Sequence, residues 1–542
     1  MFDILVADSL AAEGLAILKD QPDVKLTVQE KWKPGELAGV LGNYDGVIIR
    51  SGVQIRGPEL AGNGGGPGKL KAIARAGVGV DNVDVDAATK AGVLVMNTPD
   101  ANTITTAEHA VALMMALSRK IPAADASLRA GKWDRKTFMG KQLAGKTIGI
   151  IGFGRIGRAV AKRALGLEMK VVAFDKFYFA ETAIDGQVKM IKDFDALLPL
   201  CDYITLHTPG GETLLGAEQI AKCKKGVRFI NAARGGLIDE VALAAAINSG
   251  HVAGAAIDVY EPEPPAMDKE IFKLGDKTVV TPHLGASTTE AQTAASTDVV
   301  AGILTYLRGE GLVGAVNAGG VEVNLSPQEK AYADLAQRMG TILAGIAEKG
   351  FDSITLRTNG ELPKRIANTL QRLAVMNLLK PFLSENLNVV NAFSLAEARG
   401  INIRSETMGQ AVQRAIQHSI ELEITEKVNG ETHTHTIIGT VFADNLPRVL
   451  GIKGYWMDMI PAGNMVLIVN KDKPGVIGLV GNTFGKLNIN IADMTISRKG
   501  DKALMLLKVD TEPTPDALAT LRAEPSLEVV KAIKLPALDT TL

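Results

Sequence analysis

An apolar run, Thr147-Ile-Gly-Ile-Ile151, leads without a break into Gly152-Phe153-Gly154-Arg155-Ile156-Gly157, and Arg158-Ala-Val-Ala-Lys-Arg163 continues at helical spacing. Few arrangements restrict a fold as tightly. The first glycine permits a tight turn, the second lets backbone approach a pyrophosphate, and the third lets the helix pack on the strand. The helix N-terminus then faces the negative charge. A second buried run, 171–174, ends in Asp175, 18 residues after Gly157. A carboxylate near this spacing bonds the ribose hydroxyls of a dinucleotide and repels a 2′-phosphate. Lys176, next in the chain, tempers that repulsion slightly. The pattern predicts a Rossmann-type domain that prefers NAD over NADP, with Gly152, Gly154, Arg155, Ile156, Gly157 and Asp175 on the cofactor.

At 542 residues the chain is too long for one core, and its length suggests about three or four domains. It is 46% hydrophobic with a net charge of −1, the balance of an ordinary soluble globular protein. No basic excess points to nucleic acid, and no apolar run of about 18 residues implies a membrane helix. The N-terminal Met1-Phe-Asp-Ile-Leu-Val-Ala-Asp8 reads as a buried strand rather than a signal peptide. A cytoplasmic location is expected. Cys201 and Cys223 are too few for a disulfide framework or a four-ligand metal site and read as reduced structural thiols. No metal is expected.

Residues 1–98 alternate helical stretches with short apolar runs at 4–7, 46–49, 72–75 and 94–96, which favours a parallel sheet. The glycine-rich stretch 63–68 precedes a strand rather than opening a helix, so it reads as a surface turn and not a phosphate cradle. Residues 99–287 form a second strand–helix series, with a helix at 107–119 and strands at 146–151, 171–174, 203–206, 228–231, 255–259 and 278–281. A helix from Pro282 to about 307 would return to the first domain. The first domain is therefore 1–98 with 288–317, and 99–287 is inserted in it. Residues 318–457 mix helices at 328–349 and 365–379 with strands at 353–357 and 434–442. His433 and His435 there alternate with Thr and read as one solvated strand face. Residues 464–542 make the last domain, and up to 536 they follow a strand–helix–strand–strand–helix–strand order, a split βαβ sandwich.

Moving a hydride and a proton to or from a carbonyl needs a proton carrier, and a carboxylate-bearing substrate needs a cation. His283 follows Pro282 at a strand end, where active-site loops of α/β folds sit. Glu263 lies in Tyr260-Glu-Pro-Glu-Pro-Pro265, a rigid turn able to hold its carboxylate against the imidazole and fix the tautomer. Arg234 follows the strand at 228–231, and its planar fork suits a carboxylate. His207 and Thr208 end a strand next to the expected nicotinamide position and read as pocket-lining. Asp258 reads as a buried turn acceptor at the edge of the cofactor site, and His109 as a core or hinge residue.

Four segments now stand out: Ala74-Arg-Ala-Gly-Val-Gly-Val-Asp-Asn-Val-Asp84, the glycine loop, Cys223-Lys-Lys-Gly-Val-Arg-Phe-Ile-Asn-Ala-Ala-Arg-Gly-Gly236 and Thr281-Pro-His-Leu-Gly-Ala-Ser-Thr288. Over residues 1–317 the chain resembles the D-isomer-specific 2-hydroxyacid dehydrogenases. Its whole domain order resembles the long, phosphoglycerate-oxidising branch of that family. The resemblance implies an α/β chain with the Rossmann-type domain inserted in a flavodoxin-like substrate domain. A mixed α/β intervening domain and a ferredoxin-like βαββαβ ACT domain follow.

The resemblance also implies that Arg234, Glu263 and His283 are the catalytic set and NAD the cofactor. The implied reaction turns 3-phosphoglycerate into 3-phosphohydroxypyruvate, the first step toward L-serine. Backbone amides of 76–79, including Gly77 and Gly79, would hold the substrate carboxylate. Arg50 and Ser51 would take the phosphate with Arg75 nearby, and Arg135 would help from the cleft or a neighbouring subunit. A homodimer or homotetramer is implied. Asp472 and Asn490, with Asn470 nearby, match positions that bind an L-serine effector. Some members carry His or Tyr where this chain has Asn470, a departure from strong serine feedback. A competing reading is another D-2-hydroxyacid dehydrogenase, a glyoxylate or hydroxypyruvate reductase, which would not need Arg50, Arg75 and Arg135. A more distant one is a dinucleotide-sensing corepressor of the same fold.

Overall fold

The computed structural model describes residues 1–33, 35–62, 66–322, 325–348, 350–383, 387–408, 416–442 and 444–538. Part of the glycine-rich turn expected at 63–68, residue 349 of an expected helix and the last four residues of the expected ACT domain lie outside these. Among the described residues the strands form four sheets.

The first sheet is parallel throughout, in the order Val24–Val28, Phe2–Val6, Gly46–Ile49, Ala72–Arg75, Leu94–Met96. This is the flavodoxin-like order. The edge strand Val24–Val28 was not among the expected strands. It alternates apolar and polar residues and is only partly buried, unlike the continuous apolar runs of the inner strands. Helix Thr289–Leu307 returns to this sheet and packs Val299, Val300, Ile303 and Leu304 against Ile4, Val6, Ile48 and Ala74.

The second sheet runs Thr278–Val280, Val252–Ile257, Val227–Asn231, Tyr203–Leu206, Thr147–Ile151, Lys170–Phe174, Val188–Met190, Thr182–Ala183, antiparallel only at the last pair. The winding direction reverses at Thr147–Ile151, which opens a crevice at the carboxyl ends of the strands. The glycine loop, His207, Arg234 and His283 all follow strand ends on that side.

The third sheet is mixed: Asn402–Thr407, Ser353–Asn359, Ser419–Val428, Glu431–Val441, Pro447–Ile452, Tyr455–Met459, with only the first pair parallel. The strand face expected to be solvated is so only in part: His433 is exposed, but His435 is buried, with Nε2 2.7 Å from the buried Glu426 Oε1. His435 shares the inward side of its strand with Ile437, which packs in the core. A paired carboxylate lets the imidazole enter that core.

The fourth sheet is antiparallel, in the order Ile491–Lys499, Lys502–Val509, Gly463–Lys471, Leu527–Leu535. Helices Val476–Lys486 and Pro515–Arg522 cover one face, with Val480, Phe484 and Leu521 against Val466, Ile468 and Leu507. The other face packs Met465, Leu467, Leu506 and Ile533 against Met339, Ile342 and Leu343 of helix Pro327–Ile346. That helix is therefore sandwiched between the third and fourth sheets. Its buried Arg338 donates from Nη1 to Pro461 O at 2.8 Å and Pro536 O at 2.7 Å, satisfying carbonyls just beyond the paired strand ends Gly463 and Leu535.

Candidate active site

The glycine loop is held from three sides. Gly152 has φ +91°, and a Cβ there would lie 2.5 Å from the His207 carbonyl oxygen. A Cβ on Gly157 would collide with the Gly152 carbonyl, whereas Gly154 faces open space. Gly154 is also the N-cap of helix Arg155–Gly166, and no side chain caps it, so the first-turn N–H groups remain available to an anion. Asp175 fastens the loop to the next strand. Its Oδ2 accepts from Phe153 N and its Oδ1 from Phe177 N, both at 2.8 Å. Arg158 completes the clamp: its guanidinium stacks over Phe153 and Tyr178, and its Nε donates to Phe153 O at 3.0 Å. Arg158 and Tyr178 carried no motif signal, and only the fold brings them together. Arg155 reaches Asp100 at 2.6 Å, and Ile156 packs at the edge of the lobe's core.

The cofactor side of the crevice carries polar atoms without partners. The buried His207 Nδ1, Thr208 Oγ1, Asn102 Oδ1 and Thr103 Oγ1 have none. Burial pulls the His207 pKa down to about 4, so its ring is neutral at pH 7. An open glycine cradle and unpaired donors and acceptors fit a dinucleotide.

His283 sits on the next strand end with φ +55°, a backbone state uncommon outside glycine. Its Nδ1 lies 2.6 Å from Glu263 Oε2, and Glu263 Oε1 accepts from Tyr260 N at 2.9 Å. An ionised carboxylate only accepts hydrogen bonds, so Nδ1 carries the proton and Nε2 stays free. Asp258, fully buried, anchors this turn. Its carboxylate accepts from Leu284 N at 2.8 Å, Gly285 N at 2.9 Å and Thr281 Oγ1 at 2.5 Å, with His109 Nε2 at 3.2 Å. The structure gives Asp258 the turn-acceptor role, with none of its surface exposed. His109 is a prop for Asp258 from helix Thr103–Arg119.

Arg234 is shaped by Asn231, whose Nδ2 donates to Arg234 O at 2.8 Å and whose Oδ1 accepts from Ala233 N at 3.1 Å. The next residue, Gly235, lies against the Tyr260 carbonyl so closely that a Cβ would collide with it, which sets the arginine loop on the turn of Glu263. Arg234 then reaches across to the other lobe, with Nε 3.3 Å from Asp81 Oδ2. Arg75 is half-buried there. Burial lowers its pKa, the Arg234 and Arg50 guanidiniums lower it further, and Asp81 and Asp8 oppose them. Arg50 is held through its N–H on Asp8 Oδ2 at 3.2 Å, beside the exposed Ser51.

The backbone site expected over 76–79 is narrower than expected. Ala76 N is tied to Ile49 O and Gly77 N to Thr98 Oγ1, each at 2.9 Å. Among the described residues only the Val78 and Gly79 N–H groups of that stretch lack a partner. Arg135 is exposed and likewise has no hydrogen-bonding or ionic partner among the described residues. Among those residues no group of three or more His, Cys, Asp or Glu is placed to hold a metal ion, and no helix is long and apolar enough to cross a membrane.

The three expected effector residues do not meet within one chain. Asn470 is buried, opposite Ala503 in the sheet, and Asp472 lies just beyond it, 3.4 Å from Arg498 Nε. Asn490 donates to Asp510 Oδ2 at 2.8 Å, at the end where Asn464 pairs with Val509. At about 3.3 Å per residue the six steps from 464 to 470 separate the two ends by roughly 20 Å.

Residues 111–285 match the family model of the D-isomer specific 2-hydroxyacid dehydrogenase NAD binding domain. Residues 328–453 match the D-3-phosphoglycerate dehydrogenase intervening domain, and 464–526 the ACT domain. The chain is 40% identical over 522 residues to the D-3-phosphoglycerate dehydrogenase of Archaeoglobus fulgidus, covering 95% of this chain and 96% of that one. It is 37% identical over 541 residues to that of Bacillus subtilis, covering 99% and 100%. Among solved structures it is similar to a glyoxylate reductase from Paecilomyes thermophila, with a TM-score of 0.53 and 30% identity over 58% of this chain and 98% of that one. The TT0316 protein of Thermus thermophilus is similar with a TM-score of 0.52 and 31% identity over 58% and 99%.

Proposed function

Because the chain belongs to the D-3-phosphoglycerate dehydrogenase family of D-isomer specific 2-hydroxyacid dehydrogenases, we propose that it oxidises 3-phospho-D-glycerate to 3-phosphohydroxypyruvate with NAD, the first step toward L-serine. The observation that carries this reading is the meeting of unlike groups at one cleft. A carboxylate-backed imidazole stands beside a guanidinium that reaches over two unpartnered amides of the opposite lobe.

Glu263 holds the His283 Nδ1 proton, so Nε2 accepts the proton of the 2-hydroxyl, and the imidazolium that forms is stabilised by the same carboxylate. Arg234 with the Val78 and Gly79 amides takes the substrate carboxylate. Arg50, Ser51 and Arg75 take the phosphate, and Arg135 adds charge from the rim or from a neighbouring subunit. Gly152, Gly154, Arg155, Ile156 and Gly157 hold the pyrophosphate, Asp175 the ribose, and His207 with Thr208 the nicotinamide side. NAD, when bound, supplies the acceptor for the hydride leaving C2.

We assign substrate binding to residues 1–98 with 288–317, NAD binding to 99–287, the intervening domain to 318–457 and the ACT domain to 464–542. Asn470 and Asp472 can share an effector with Asn490 only if a second ACT domain lies antiparallel beside the first. An L-serine site therefore requires a homodimer or homotetramer. The protein works in the cytoplasm on this reading.

The test is NADH formation from 3-phosphoglycerate and NAD at alkaline pH, where the released proton is drawn off, with L-serine titrated in parallel. Turnover is expected, falling as serine rises. Activity on glyoxylate or hydroxypyruvate with none on 3-phosphoglycerate would replace this reading by the reductase. Turnover indifferent to serine would remove Asn470, Asp472 and Asn490 as an effector set.

Asp175→Ala should raise the KM for NAD, because the loop loses its anchor at Phe153 N along with the ribose contact. It should also shift the NADP-to-NAD ratio of kcat/KM toward NADP by about ten-fold, or ~1.4 kcal/mol. An unshifted ratio would show that Asp175 is a loop anchor and not a ribose ligand.

A further inference from the structure

We propose that Asp81 is an internal carboxylate that holds Arg234 until substrate binds and gives it up to the carboxylate of the incoming substrate. The inference rests on the proposed function only in requiring a ligand with a carboxylate next to the reacting carbon.

The residues around Asp81 are all committed. Asn82 Nδ2 donates to Arg50 O at 2.7 Å and Val53 O at 2.5 Å, and Asp84 caps helix Val85–Lys90 by accepting from Ala87 N at 2.9 Å. These neighbours pin the loop. Asp8, the other acid near the arginines, accepts from Ser9 N, Arg50 N and Gly52 N within its own lobe. The Asp81 carboxylate, by contrast, is 76% exposed, and among the described residues its partner is Arg234 of the facing lobe.

The pair also stands in the right place. Both side chains lie over Gly79: a Cβ there would collide with Arg234 Nη2 and come within 2.7 Å of Asp81 Oδ2. A carboxylate of the protein thus occupies the ground beside the Val78 and Gly79 amides and the Arg234 fork that a substrate carboxylate would need. It also offsets the mutual repulsion of Arg234, Arg75 and Arg50. An exposed ion pair is weak, so Asp81 is easily displaced, and it re-forms the pair when product leaves.

The test uses the full-length chain with Asp81→Asn, and with Asp81→Ala as a second variant. One arm measures KM and kcat for 3-phosphoglycerate. The other measures the Kd of oxalate for the enzyme–NADH complex by fluorescence titration. Removing the competitor should lower the oxalate Kd and the KM by roughly two- to five-fold, with the gain in KM rather than kcat. The difference from wild type should shrink at high salt. A merely structural Asp81 would instead raise both constants. Unchanged or raised constants in Asp81→Asn overturn the proposal. A wild type that ignores 3-phosphoglycerate would count against the substrate assignment alone, since the oxalate arm still decides the role of Asp81.

Discussion

His283→Ala is expected to lower kcat by about 10²- to 10⁴-fold while leaving the affinity for NADH close to wild type. The free nitrogen of this imidazole is fixed by a carboxylate on the other side of the ring, through Glu263 at 2.6 Å. His207, the other ring nearby, is held neutral by burial with its pKa near 4 and bonds Thr205 Oγ1 at 2.9 Å, so it is a poor substitute as proton acceptor. The cofactor cradle is built from a different loop, anchored by Asp175 and Arg158, so an alanine at 283 leaves it standing. Steady-state rates with an NADH fluorescence titration check both halves. Lost NADH binding with normal turnover of the bound fraction would remove His283 as the proton carrier.

Asp258→Ala should be the most damaging change to the fold of the cleft, costing about 3–5 kcal/mol. It removes a carboxylate with no exposed surface and strands two backbone N–H groups, at Leu284 and Gly285, together with the Thr281 hydroxyl and the His109 ring. Each stranded donor keeps its desolvation penalty. The thermal transition should fall by on the order of 10 °C. Activity should fall as well, because the left-handed backbone at His283 is held by this turn, including His283 N on Asp258 O at 2.8 Å.

Burial pushes the Asp258 pKa up, but hydrogen bonds from His109, Thr281 and Leu284 outweigh it and leave the value lowered. The carboxylate therefore contributes stability that is fully present above the ordinary Asp value of about 3.9 and is lost as pH falls through the lower folded value. The stability gap between wild type and Asp258→Asn should narrow below about pH 4. A gap that stays constant into acid would show that the charge is not what holds the turn.

Much of the site was legible before any coordinates because its parts are local. A glycine that must turn, a glycine that must let a helix approach and an acid at the next strand end are constraints within about 25 residues, and 152–175 carry all of them. Strand-end positions for Arg234 and His283 followed from apolar runs of parallel strands. Edge elements were less visible. Val24–Val28, Asn402–Thr407 and Tyr455–Met459 are only partly buried and lack such runs.

The sequence by itself determined which chemical groups this chain owns and roughly where the strands deliver them, because backbone geometry and hydrophobic period act between near neighbours. Tertiary structure alone decided which of those groups are free to act. Asp258 is consumed by the turn it supports, Gly77 N by Thr98, and His435 by Glu426. Asp81 meets Arg234, 153 positions further along, and Asn470 and Asn490 lie at opposite ends of one sheet. Burial and charge pairing depend on what the rest of the chain brings alongside, and no local pattern carries that information.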